Sequence, residues 1–453
     1  MVDTITTVND AVNSIVWGPP FLVLLLGTGL YLTIRLGGFQ FTHPRMSWRQ
    51  SFGRHFGKKH KEGDGAISSF GAISSAMAAT IGVGNIAGVS TAIALGGPGA
   101  VFWMWISALV GMATKFGEAS LGLKYREIDP DGNIKGGVMY YIEKGLGSSW
   151  KWLAVLYAIF AAIAALGIGN MVQANTMADS LETAFSIPPA VTGVLAVVLV
   201  GLVILGGIKR IAATAEKLVP FMTVAYIIGA LIIIVMNIPA IPAALGEIFY
   251  YAFNPISAVG GFAGSTVAFT IQMGVARGIF SNEAGLGAAS IVHAQARNVP
   301  FRQGMWGIWE VFIDTIVVCT MTALVIVLTG AIETGETGAG LASHAFNTGL
   351  PGPGGYVVLL GLAIFAYTTM LTWSFYGEKS LEYVLGEKSR MPYRVLFLVF
   401  LFVGAVGGLE LIWSIADTLN GLMAAPNLIA LLALGGILAK EKADYMSSPE
   451  AKE

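Results

Sequence analysis

The chain has 453 residues, of which 55% are hydrophobic and only 12% charged, with a mean hydropathy of +0.71 and a net charge of −1. Soluble domains carry about twice that charged fraction. The composition therefore predicts an all-α polytopic protein of the lipid bilayer, and the charge gives no basis for a nucleic-acid partner. The single cysteine, Cys319, excludes a disulfide framework and a cysteine-based metal site. His43, His55, His60, His293 and His344 never fall at ligand spacing on one predicted helix, which argues against a haem or di-metal enzyme. The stretch before residue 16 holds no Lys or Arg, so a cleavable signal peptide would lack its basic start.

After a short polar start at 1–12, residues 13–34 are predicted as a first, peripheral N-terminal span, ending at Arg35. A basic loop follows at 36–65, with Arg45, Arg49, Arg54, Lys58, Lys59 and Lys61. Residues 66–95 carry no charge. As one helix they would run about 45 Å, against a hydrocarbon core of about 30 Å, so this second span is tilted or broken. Thr80-Ile81-Gly82-Val83-Gly84-Asn85 puts two glycines and a polar Asn at its middle. Unwound backbone is tolerated at membrane depth only where it is buried in protein or lines a cavity, and such spans build the sites of many secondary transporters. The alternative is a glycine-rich helix packed closely on a neighbour.

Gly96-Gly97-Pro98-Gly99 reads as a tight turn before a third span at 100–124 and a polar loop at 127–149. The fourth span, about 151–180, carries Asn170, Gln173, Asn175 and Asp179. Pro188-Pro189 opens the fifth, which ends at Lys209-Arg210, and the sixth covers 217–237. Residues 239–261 suggest a short interfacial helix. Residues 262–296 again exceed one plain span and contain Gln272, Gly274, Arg277 and Gly278. Spans at 304–330, 356–384, 393–412 and 415–438 complete eleven, with a Gly/Thr/Pro-rich loop at 331–355. Of the 26 Lys and Arg, all but Lys115 and Arg277 then fall in loops and helix ends on one side. The excess of basic residues on the cytoplasmic side places the N-terminus outside and the C-terminus in the cytoplasm of a cell-membrane protein.

Without the first span, ten remain, in two halves at 66–237 and 262–438. Each half opens with an over-long, interrupted span, and the two run in opposite directions. Paired interrupted segments in corresponding positions mark the site of inverted-repeat transporters. The whole chain reads as a single membrane transport domain.

Residues 96–111, GGPGAVFWMWISALVG, resemble the signature of the alanine/glycine:cation symporter family, and Gly274–Ala289, GVARGIFSNEAGLGAA, resembles a second stretch typical of it. That resemblance implies a sodium:alanine symporter with the leucine-transporter fold. It further implies a five-plus-five inverted repeat with two broken helices, Na+ as coupling ion and alanine or glycine as substrate. No organic cofactor and no obligatory protein partner are implied. By similarity to the leucine transporter, Thr80–Asn85 and Phe269-Thr270-Ile271-Gln272-Met273-Gly274 would be the two unwound segments. Thr80, Asn85 and Thr270 would contact one sodium ion. Ala78, Ile81, Phe365, Thr368 and Thr369 would form a second sodium site, although Thr368 and Thr369 also suit helix packing. Gln272 and Arg277 depart from the smaller residues of that pattern.

A zwitterion in a membrane needs both charges satisfied. The half-helix starting near Val83 points its amide end at the proposed site, which attracts a carboxylate, while Gly82 and Gly84 let the backbone come close. Neither expected unwound segment offers a carboxylate for the ammonium, so carbonyls with Gln272, Asn170 or Gln173 would receive it. Asn170 and Gln173 equally suit interhelical hydrogen bonding. Phe269, Met273 and Trp373 would wall the pocket or pack on neighbouring helices. Hard oxygen ligands suit sodium. Intramembrane charges are functional candidates: Lys115 and Glu118, three apart, pair on one face; Arg277 would form a cytoplasmic ion pair with Glu118 or Glu283; Asp314 faces an ion or, with Glu310, a wet cavity. A proton-coupled symporter and a small-solute channel are the competing readings, and no catalytic residues are expected.

Overall fold

The computed structural model describes residues 2–56, 63–254, 266–407 and 410–451. Lys58, Lys59 and Lys61 of the basic loop lie outside the described residues, as do 255–261 of the expected interfacial segment and 262–265 of the seventh span. The chain is nearly all helix. Its one sheet among the described residues is a small antiparallel pair, β1 (Glu127–Ile128) with β2 (Ile134–Lys135), in the loop after the third span.

The N-terminal stretch, read as polar and short, is helical instead. Helix α1 (Val2–Val16) precedes α2 (Pro19–Arg35), whose start is set by two prolines at its first turn. Asn9 and Asn13 of α1 donate hydrogen bonds to Ser414, Asp417 and Thr418, so these two polar residues are spent on a partner helix rather than on water. The over-long second span is broken, as expected. Helix α3 (Ser69–Thr80) is capped by Ser68, whose hydroxyl accepts the Gly71 amide at 2.8 Å. It stops at Thr80. The chain resumes with one wide turn at Gly84–Gly88 and α4 (Val89–Gly96), bent 50° from α3.

The first half continues with α5 (Ala100–Lys124), α6 (Lys151–Leu166), α7 (Val172–Phe185), α8 (Pro189–Ile204) and α9 (Gly207–Met236), followed by a short α10 (Ile241–Tyr251). Helices α6 and α7 form one continuous rod interrupted by a wide turn at Gly167–Met171, against which Trp373 packs; a Cβ on Gly169 would lie 2.3 Å from its ring.

In the second half the expectation needs correction. Helix α11 runs unbroken from Val267 to Asn282, through the whole stretch Phe269–Gly274 that the resemblance marked as unwound. The backbone leaves the helix only at Glu283, in the left-handed conformation (φ 56°), and stays irregular through Gly285 (φ 103°) and Gly287 (φ 80°) before the short α12 (Ala289–His293). The second break is thus Glu283–Ala288. Only glycine reaches those positive angles at little cost, and two of the three positions are glycine.

Helix α13 (Pro300–Val311), a wide-turn segment at Phe312–Cys319 and α14 (Thr320–Leu328) form the next rod. The loop at 331–355 holds its own helix, α15 (Gly338–Gly349), and is followed by α16 (Pro353–Leu385), α17 (Arg390–Val406), α18 (Glu410–Leu422) and α19 (Ala424–Ser447). Eight helices among the described residues are long and apolar enough to cross a membrane, nine with the bent α3/α4 pair. The molecule is a multi-pass membrane protein. Exposed Val and Leu line α8, while α3, the Gly84–Gly88 turn and the second break are almost wholly buried.

Candidate functional site

Two elements join the breaks. Helix α16 presents Thr369, Thr372 and Trp373 on one face, since positions three and four apart lie over one another. Thr369 Oγ1 donates to Ala78 O at 3.1 Å, Thr372 Oγ1 to Ser75 O at 2.9 Å, and Trp373 Nε1 to Glu283 Oε1 at 3.1 Å. One helix face therefore holds the end of α3 and the second break together. On the other side stands Asp314, fully buried in the wide-turn segment after α13. Its carboxylate accepts Asn85 Nδ2 at 2.6 Å, Ser281 Oγ at 2.9 Å and Thr315 Oγ1 at 2.8 Å. Asn85 belongs to the first break and Ser281 ends α11, so Asp314 ties the two.

At the first break, Asn85 Oδ1 accepts the Gly82 amide at 2.8 Å, and Thr322 Oγ1 donates to Asn85 O at 2.8 Å. Neither Gly82 nor Gly84 has positive φ. These glycines serve close approach instead. A Cβ on Gly82 would stand 2.8 Å from Thr369 Oγ1 and 3.9 Å from Gln173 Oε1; one on Gly84 would stand 3.1 Å from Ser281 Cα and 3.4 Å from the Phe280 ring. Gln173 Oε1 is buried with no hydrogen-bond partner, and its amide donates to Ile168 O. Thr80 is buried one residue before the break and donates to Ala76 O at 3.3 Å; Ile81 and Val83 bracket Gly82.

The residues of the expected second sodium site lie on α16 and at the end of α3. Thr369 bonds Ala78 O, and Thr368 Oγ1 donates to Phe365 O at 3.0 Å. Each hydroxyl is paired with a carbonyl of the same proposed ligand set. Thr368 also reaches Met222 Sδ at 3.6 Å.

The residues drawn from Phe269–Gly274 lie elsewhere. Phe269 is 37% exposed. Thr270 donates to Gly96 O, at the far end of α4 from the break. Gln272 donates to Trp17 O. Met273 packs at Gly96, and Gly274 lets α11 approach α5, since a Cβ there would meet Ala100 O at 2.2 Å. Asn170 donates to Phe397 O at 2.7 Å, an interhelical bond. Arg277 does not meet Glu118 or Glu283. It lines a cavity of about 170 Å³ with Trp17, Phe280 and Asp417.

What the second break does supply is a carboxylate, contrary to expectation. Glu283 is buried; Oε1 accepts from Trp373 and Oε2 has no hydrogen-bond partner. A signal was present in Asn282-Glu283-Ala284-Gly285-Leu286-Gly287, where an acidic residue precedes two closely spaced glycines. Glu118 holds this break in shape. Its Oε1 accepts the amides of Gly285 (2.8 Å) and Gly287 (3.1 Å) and Asn427 Nδ2 (2.7 Å), an anion seated in a concavity of backbone N–H groups. Lys115 pairs with Glu310 at 3.1 Å, both fully buried, rather than with Glu118. Among the described residues, Asp314 and Glu283 have no cationic side chain within ion-pair distance.

Residues 2–453 match the sodium:alanine symporter family. The chain is 48% identical over 446 residues to the sodium/alanine symporter AgcS of Methanococcus maripaludis, covering 97% of this chain and 96% of that one. It is likewise 48% identical over 447 residues to an uncharacterized transporter of Haemophilus influenzae, covering 98% and 96%. Among solved structures, MhsT in complex with L-phenylalanine superposes with a TM-score of 0.56 at 11% identity, covering 84% of this chain and 99% of that one. The Eremococcus coleocola manganese transporter gives 0.55 at 14%, covering 84% of each. At such identities the likeness is one of fold, the leucine-transporter type. The chain belongs to the sodium:alanine symporter family and is a secondary transporter of amino acids, not an enzyme.

Proposed function

We propose that this protein couples the entry of Na+ to the uptake of alanine or glycine by alternating access between its two breaks. The observation that carries the reading is the pair of buried carboxylates, Asp314, which ties the two breaks, and Glu283, within the second, neither with a cationic side chain in ion-pair range among the described residues. An uncompensated carboxylate in a low-dielectric interior is costly, and intramembrane ionisable groups serve substrate and ion paths. A sodium ion and an ammonium group are the two cations that this symport brings. In the proposal, Asp314 with Asn85 and Thr80 serves one sodium ion. Glu283, with Gln173 beside Gly82, receives the substrate ammonium. The half-helix opening at Val83-Gly84 receives the carboxylate, and Trp373 walls the side chain. Ala78, Ile81, Phe365, Thr368 and Thr369 serve a second ion. Phe269, Thr270, Gln272, Met273, Gly274 and Asn170 take no part.

In the same proposal the chain crosses the membrane eleven times. The eight long helices and the α3/α4 span are joined by the shorter α8 and by α11 with α12. Spans in 66–237 and 262–438 form the inverted repeats, behind an extra N-terminal span, with the N-terminus outside.

The test is uptake into proteoliposomes. One Na+ moving through 100 mV supplies about 2.3 kcal/mol, and a tenfold gradient adds about 1.4 kcal/mol, together roughly 500-fold accumulation per coupled ion. Alanine accumulation that is the same with sodium, potassium or choline outside would overturn sodium coupling; accumulation driven by an imposed pH gradient alone would favour the proton-coupled reading.

Thr369→Val keeps volume and removes one oxygen. It is expected to raise the sodium concentration for half-maximal uptake roughly tenfold, the loss of about 1–1.5 kcal/mol of one hydrogen-bond-strength contact. The preference for alanine over larger amino acids should be unchanged. A sodium activation curve like that of the wild type would make Thr369 a packing residue only.

A further inference from the structure

The segments that flank the two broken spans on one face of the protein are joined to each other. Residues 64–67, just before α3, run beside residues 294–297, just after α12, and Ile67 forms an isolated parallel bridge with Ala296. The amides of Ala66 and Ile67 donate to Gln295 O at 2.9 and 3.2 Å, and the Arg297 amide donates back to Ile67 O at 2.9 Å. Two glycines allow main chain to lie on main chain. A Cβ on Gly65 would lie 2.5 Å from Ala296 C, and one on Gly63 would lie 2.9 Å from Asn298 O. Arg126, two residues beyond α5, clasps this joint. Its Nη1 donates to Ala294 O at 2.8 Å and to Ala296 O at 2.7 Å, and its Nη2 donates to Asp64 O. A guanidinium presents several N–H donors in one rigid plane, so a single side chain serves carbonyls of both segments. The carbonyls of Ala294 and Ala296 follow the end of α12, where helix carbonyls lack intrahelical partners and a cation is favoured.

We infer that Arg126 is a positioning residue for transport, a latch that holds the outer ends of α3 and α12 together and so keeps shut the path from the two breaks to this face. This role rests on the alternating access proposed above. Helix α3 ends at Thr80 in the first break, and α12 begins at Ala289 just after the second. Each is therefore the half-helix that connects its break to the joint, and the two pack on each other. The joined ends part when the path opens and rejoin when it closes. The chemistry of the joint suits such a cycle. It consists of main-chain hydrogen bonds and a half-buried guanidinium, and each of these bonds can be exchanged for one to water at small net cost.

Hydrogen exchange and cross-linking test this. Exchange at the amides of Ala66, Ile67 and Arg297 is expected to quicken at least about tenfold in Arg126→Gln, because the bridge opens more often. It should quicken less in Arg126→Lys, whose single ammonium keeps the charge but not the planar fork. A folded Arg126→Gln protein with wild-type exchange at these amides overturns the latch, whatever the protein transports. Ile67→Cys combined with Ala296→Cys separates a gate from a static tie. Bridge partners stand about 5 Å apart, a separation that a disulfide spans. Oxidation is expected to lower alanine turnover in proteoliposomes at least about tenfold, reversibly on reduction, while equilibrium alanine binding stays within about twofold. Undiminished turnover of the cross-linked protein would mean that α3 and α12 move as one body, and it overturns the gating role. Loss of binding together with turnover overturns it as well, because the joint then shapes the site itself. Wild-type protein that takes up no alanine sinks the proposed function instead, and the exchange rates still decide the latch. If Arg126→Gln does not fold, Arg126→Lys and the cross-link decide.

Discussion

Glu283→Gln is expected to raise the alanine concentration needed for half-maximal binding by about 30- to 1000-fold, the cost of about 2–4 kcal/mol for removing one charge of a buried hydrogen-bonded pair. The substitution keeps shape. Gln can still accept from Trp373 Nε1, now 3.1 Å from Glu283 Oε1, so the wall of the site stays in place. What is lost is the negative charge proposed to face the substrate ammonium and the acceptor at Oε2, which has no hydrogen-bond partner inside the protein. Because a carboxylate buried without a cation is itself destabilising, thermal stability without substrate should hold or rise. Equilibrium alanine binding by purified protein, read alongside its melting temperature, checks both halves. Normal alanine affinity in the variant would remove Glu283 from the site.

Asp314→Asn should act on the ion rather than on the amino acid. The carboxylate accepts three donors, from Asn85, Ser281 and Thr315. An Asn offers one acceptor oxygen, and its NH2 must face at least one of those donors. A donor left unsatisfied in a buried setting costs about 1–3 kcal/mol, so a fall in melting temperature is expected. Beyond that, the sodium concentration for half-maximal uptake should rise more than tenfold, since the hard anionic ligand of the proposed ion site is gone. Asp314→Glu, which keeps the charge but lengthens the arm, separates the two effects. If Asp314→Asn loses stability yet keeps its sodium activation curve, Asp314 is a structural tie between the breaks and not an ion ligand.

The first break could be read from residues 66–95 alone, because an uncharged stretch too long for the bilayer, with Gly82, Gly84 and Asn85 at its middle, has few other arrangements. The role of the glycines was only half legible. They are bare because Thr369 Oγ1 and Ser281 Cα press on them, contacts that no local pattern announces. The pairing of Asn85 with Asp314, 229 residues away, leaves no local trace.

The second break shows where local reading stops. Both Phe269–Gly274 and Glu283–Gly287 carry glycine in an apolar setting, and a glycine by itself does not say whether it breaks a helix or packs one. Gly274 packs, because the Ala100 carbonyl on α5 leaves no room for a Cβ. Gly285 and Gly287 break, because the Glu118 carboxylate on that same helix takes their amides. A backbone can leave a helix inside a membrane only where another group satisfies its N–H and C=O, and that group here lies about 170 residues earlier in the chain. Sequence by itself determined the membrane setting, the family and the first break, because those depend on composition, length and contiguous motifs. Tertiary structure alone decided where the second break falls, that Glu283 stands buried there, that Lys115 serves Glu310 rather than Glu118, and that Thr270 and Gln272 stand apart. Each of those outcomes depends on which distant helix supplies the partner for a buried polar group.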